Sequence, residues 1–143
     1  MVILEKIRNY SLGSIKRDAG YDADGLIALE AIPYGSLVVF DGENHCRLAS
    51  AEDKTFYGIA IRSLKPTEAC EGETNLDQYK VADVVDVLRK RAVIEVKIDE
   101  VLKVGEEVYY KNGKLSKTET GRPIGLIEAV VSETEKVYEL FVY

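Results

Sequence analysis

The sequence predicts an all-β protein, and three observations carry that expectation. Its apolar runs are short and bounded by Gly, Pro and Asn-Gly signals, with no long stripe at helical spacing. All three prolines, Pro33, Pro66 and Pro123, sit at the borders of such runs, where a missing N–H costs least. The same order of signals also occurs twice. Residues 32–40, a Gly42 turn and Tyr57-Gly58-Ile59-Ala60-Ile61 are echoed by residues 102–110, a Gly113 turn and Ile124-Gly125-Leu126-Ile127. Gly35 and Gly105, at the start of the two strands, can take the positive φ that a tight turn needs, and β-branched or aromatic residues follow. The spacers differ in length, so the pattern fits either a duplication or two unrelated hairpins.

A chain of 143 residues is expected to be one domain with a single extended segment. Residues 1–28 read as an N-terminal arm and 29–143 as the β domain. In the arm, residues 5–14 lack sustained periodicity, residues 3–7 fit a short strand or helical turn, and residues 20–25 form a turn or loop. The first strand proper is expected over 26–32. An apolar strand follows at Leu37–Phe40, with Asp41-Gly42-Glu43-Asn44 as a hairpin turn, a return over 45–48 and a further strand over 56–62. Residues 65–78, rich in acidic side chains, read as a long loop that is functional or mobile.

Strands over 79–88 and 92–98 are expected to form a hairpin around Arg89-Lys90-Arg91. Val81, Val84, Val85 and Leu88 also fit helical spacing, but valine content and the strand after them favour β. Ile94, Val96 and Ile98 alternate with Glu95, Lys97 and Asp99, which predicts one core face and one wet face. Residues 107–110 and 111–115 make another hairpin with an Asn-Gly turn, and strands over 124–131 and 136–143 close the domain.

Composition excludes several classes of function. A formal charge of −6 opposes a nucleic-acid groove, which needs clustered Lys and Arg. The one basic cluster, Arg89-Lys90-Arg91, is either a solvated turn or a partner contact. No apolar run approaches the roughly 20 residues that span a bilayer, and no secretory signal pattern is evident, so no membrane partner is expected and synthesis in a host cytoplasm is. Cys46 and Cys70 lack CxxC spacing and are expected as free thiols. The one histidine, His45, neighbours Cys46, but adjacent strand residues point to opposite faces, which argues against a nucleophile–base pair. Asp22-Ala23-Asp24-Gly25 departs from a calcium loop, with Gly25 fourth and Pro33 where the closing glutamate belongs. No catalytic residue, metal or cofactor is expected. Nine tyrosines and no tryptophan leave a contact surface or plain strand propensity as explanations.

The order of these motifs resembles the structural cement, or decoration, proteins of tailed-bacteriophage heads. It is carried by residues 32–38, Tyr57 to Ile61, Val85 to Leu88 with Val93 to Ile98, Val104 to Tyr110 and Pro123 to Ile127. The resemblance implies a small β-barrel or β-tulip-like domain on the outside of an expanded capsid, often as a homotrimer, bound to the major capsid protein. It implies an arm that orders on a partner, for which Val2, Ile3, Leu4, Ile7, Tyr10 and Leu12 are the natural anchors, with Arg89, Lys90 and Arg91 as a second contact. The Arg89–Arg91 turn, where such proteins often have glycine, and the long 65–78 loop depart from the pattern. The competing class is a non-catalytic binding module, adaptor or carbohydrate-binding; such a module is expected to expose tryptophan, which is absent here, although tyrosine can substitute.

Overall fold

The computed structural model describes residues 10–63 and 77–143. The described residues form eleven strands and no helix: β1 (Ile15–Ala28), β2 (Ile32–Pro33), β3 (Leu37–Phe40), β4 (His45–Leu48), β5 (Gly58–Ala60), β6 (Gln78–Tyr79), β7 (Val84–Lys97), β8 (Glu107–Lys111), β9 (Lys114–Ser116), β10 (Gly125–Ser132) and β11 (Val137–Val142). Nine form one sheet in the order β1-β4-β3-β5-β7-β11-β10-β8-β9, and β2 pairs with β6 separately. Because β1 also pairs with β7, the strands β1, β4, β3, β5 and β7 close into a ring. Leu26, Val38, Cys46, Ala60, Val85 and Val87 form its core with Ile32, Tyr34 and Tyr79. A second core, built on Ile94, Val96, Leu115, Ile127, Tyr138 and Leu140, lies where β7 continues into the open half of the sheet. The all-β, barrel-like expectation is met.

The internal repetition is real in three dimensions. Gly35 N–H donates to Ala60 O at 2.8 Å, and Gly105 N–H donates to Ile127 O at 2.9 Å. Ala60 N–H reaches Ser36 O at 2.9 Å as Ile127 N–H reaches Glu106 O at 3.0 Å, and Tyr57 to Val38 matches Ile124 to Val108 at 2.7 Å each. In both units the glycine after the last donor, Gly58 or Gly125, pairs with the second residue of the first strand, Val38 or Val108. A Cβ there would strike the carbonyl oxygen of Leu88 or Phe141 on the next strand. Each glycine lets two backbones approach as no other residue would. We call 33–60 and 103–127 the first and second units.

Two elements differ from the sequence expectation. Residues 89–91 are not a hairpin turn: β7 runs unbroken through them, paired with β1 on one side. The three side chains are exposed, as their polarity predicts, but a bend rather than a chain reversal exposes them. Arg91 has φ 66, and opposite it β1 advances four residues, Asp18 to Asp22, while β7 retreats two, Ala92 to Lys90. Asp18 Oδ1 holds the extra residues by accepting the N–H groups of Gly20 at 2.7 Å and Tyr21 at 3.0 Å. A bulge therefore stands where the sequence suggests a turn.

Residues 15–28, read as arm, form β1. Its side chains from Lys16 to Gly25 are exposed, so no apolar alternation marks it, and its place is held by backbone bonding to β7. Glu95, expected on a wet face, is 1 % exposed because the chain from Ser11 to Lys16 covers it. Val81 and Val84, which fit a helical stripe by spacing, are exposed instead, and Val84 begins β7.

Candidate interaction surface

Cys46 is wholly buried in the ring, and burial pushes its thiol pKa up, away from the nucleophilic form. His45 turns its Nδ1 to the Glu43 carbonyl. Among the described residues no cluster of His, Cys, Asp and Glu is arranged to hold a metal, and no helix is long and apolar enough to cross a membrane. Cys70 lies outside the described residues.

Of the six anchor residues, Val2, Ile3, Leu4 and Ile7 lie outside the described residues. Tyr10 and Leu12 are half-buried at the point where the segment joins the body. This junction is firmly held. Ser11 N–H donates to Glu95 Oε2, Gly13 N–H donates to Glu95 O at 2.8 Å, and Glu95 N–H donates to Ser14 O at 3.1 Å. Lys16 Nζ lies 3.6 Å from Glu95 Oε1 and gives the buried carboxylate its counter-charge. Arg62 Nε donates to Leu12 O at 3.0 Å, while its guanidinium lies 4.8 Å from the Tyr34 ring centroid and pairs with Asp77 at 3.0 Å.

The basic cluster divides. Arg89 sits 3.8 Å from the Tyr57 ring centroid and 3.8 Å from Asp24 Oδ2, and Tyr57 O–H donates to the same carboxylate. That hydrogen bond and burial raise the Tyr57 pKa, so the hydroxyl stays protonated. Phe40 meets Tyr57 edge-on at 4.3 Å. Arg89 is thus engaged within the protein. Lys90 lies opposite Asp22, and Lys90 and Arg91 are exposed at the bend.

Sequence reasoning missed two features. The first is an exposed apolar group, Leu29 at 46 % and Val81 and Val84 at 63 % each, brought together where Ala82 N–H bonds Ala28 O and Val84 pairs with Ile27. Valines on the outer parity of a strand were its only signal. The second is the Arg47–Asp53 pair. Arg47 donates to both Asp53 oxygens at 2.8 and 2.9 Å, and Asp53 also accepts Ser50 N–H at 2.8 Å. The Arg47 bonds, and then Ser50, hold the Asp53 carboxyl well below the usual carboxylate range. Tyr110 O–H donates to Asp53 O at 2.6 Å and stacks on Phe56 at 5.1 Å, tying the first unit to the second.

The molecule is therefore a repeated β scaffold with a clamped N-terminal segment, a basic bend and exposed valines. Such a design suits contact over a wide area. The family model for the structural cement protein (E217 gp24/Pam3 gp6) matches residues 7–141. Among solved structures, a chain from the capsid of Myoviridae phage XM1 shares the fold, with a TM-score of 0.68, 15 % identity and coverage of 96 % of this chain and 92 % of that one. No curated protein matches by sequence. The family match spans nearly the whole chain, and with it the two-unit sheet and the clamp: this protein belongs to the phage structural cement proteins, components of the virion capsid with a decorating and stabilising role.

Proposed function

We propose that the protein sits on the outside of an expanded head as a homotrimer, bound to the major capsid protein. The observation that carries this reading is the family match across residues 7–141. In this reading Val2, Ile3, Leu4 and Ile7 anchor the protein within the assembly, with Tyr10 and Leu12 at their root. Glu95 and Arg62 support that role by fixing where the segment leaves the body. Lys90 and Arg91 are the basic contact, exposed and held out by the β1–β7 bend. Several modest contacts repeated in a trimer multiply into avidity, so a weak single-copy contact suffices.

Co-sedimentation with expanded, undecorated heads tests the reading. Because β1 belongs to the sheet, the informative truncation removes residues 1–9 and stops before Tyr10. The full chain should bind and the truncated protein should bind at least tenfold more weakly while retaining its fold. Equal binding by both would remove the segment from the mechanism, and no binding by the full chain to its cognate head would overturn the reading.

A further inference from the structure

The two units match strand for strand, yet their outer edges are treated differently. Val38 and Val108 are equivalent, so Phe40 matches Tyr110, and their cross-strand partners Cys46 and Leu115 match in turn. Asn112 and Gly113, with φ 49 and 82, make a two-residue turn flanked by Lys111 and Lys114. In such a hairpin the flanking pair exchanges hydrogen bonds, and the next residue, Leu115, turns its N–H and C=O away from β8. Cys46 stands the same way in the first unit. There the edge is covered: β1 lies parallel to β4, Ala28 faces Cys46, and Leu29 N–H donates to Cys46 O at 2.9 Å. In the second unit, among the described residues, β9 pairs with β8 alone. A groove of about 790 Å³ lies beside β9; Leu12, Leu48 and Leu115 contribute apolar lining, and Lys97, Asp99, Glu100 and Lys114 contribute charged lining.

We propose that a strand from residues 2–7 of a second copy docks in this groove, parallel to β9 as β1 is to β4. Repetition of the unit defines what covers the edge, an extended strand bonding to Leu115. The leucines of the lining favour apolar side chains on one face of that strand. Two stretches of the chain lie outside the described residues, 1–9 and 64–76. The second carries Pro66 and Gly72, which suit a paired strand poorly, and has no apolar run to meet the leucines. The first carries Val2, Ile3, Leu4 and Ile7. Delivery by a second copy rests on the reading of this segment as an assembly anchor, since a segment laid on its own β9 would join nothing. A contact from the segment of one copy to the edge of the next is heterologous, and in the homotrimer proposed above it would close into a ring.

Disulfide trapping tests the pairing without heads. Ile3→Cys and Lys114→Cys are introduced separately and together, each with Cys70→Ser, and thermal melts verify the fold. Mixing the two single variants under mild oxidation should give a covalent dimer mapped to positions 3 and 114, and the double variant should give covalent trimers. The same reaction is run on decorated heads. A bond formed only within one chain, or no 3–114 bond between copies either free or on heads, overturns the proposal. Head binding separates it from the reading it rests on. If the 3–114 bond forms between copies yet removal of residues 1–9 leaves head binding intact, strand docking stands and the anchoring role falls.

Discussion

Asp53 shows how much one carboxylate organises. Its ionised form accepts from Arg47 and Ser50, and its backbone carbonyl holds Tyr110. Its pKa is lowered on folding, so the stabilisation is complete above the unfolded value of about 3.9 and is lost as pH falls through that value toward the folded one. Asp53→Asn should lower the melting temperature at pH 7, and the difference from wild type should shrink as pH drops below about 4, measured by thermal melts across pH. Gly58 and Gly125 give a test of the repeat at the same scale. Either glycine changed to alanine drives a methyl group into a carbonyl and should cost about 1–3 kcal/mol in denaturant unfolding. The two variants should behave alike, because the two sites are one site built twice. Cys46 should resist a thiol reagent in the folded protein and react on denaturation.

At the scale of elements, β1 and β7 decide the architecture. β1 closes the ring by bonding to β4 with one end and to β7 along most of its length. Removal of residues 1–28 would expose the β4 edge and one side of β7 together, and should abolish cooperative unfolding, whereas removal of 1–9 should leave it. Paired thermal melts discriminate these outcomes. The bend at Arg91 makes a different prediction. Lys90→Glu with Arg91→Glu adds no buried charge, so stability should change by no more than about 0.5 kcal/mol. Binding to heads should fall and lose part of its salt dependence, read by co-sedimentation at two ionic strengths.

For the molecule as a whole, the family role is to decorate and stabilise the capsid. Two similar units share one sheet, and β7 serves both cores. Far-UV circular dichroism should show a β spectrum with negligible helix. Expanded heads carrying the protein should release their contents at a higher temperature than undecorated ones, measured by dye access to the packaged interior. An unchanged release temperature would leave this protein bound without stabilising.

The local signals were enough for the strands flanking Gly42 and Gly113, for the closing strands and for the repetition itself. Turn chemistry and period-two alternation are properties of neighbouring residues, so they are written in the chain. Glycines 58 and 125 were visible as exceptions within apolar strands, though their partners were not. Tertiary structure alone decided three things. It made β1 a strand, because polar residues 16–25 are held by a backbone ladder that side-chain pattern does not encode. It turned Arg89-Lys90-Arg91 from a reversal into a bend, because exposure has the same sequence signature in both. It buried Glu95 and divided the basic cluster, because the partners of each charge, Ser11 and Lys16 for one and Asp24 and Tyr57 for the other, lie dozens of residues away in the chain. Alternation tells which side of a strand a residue occupies, but only the fold determines what covers that side.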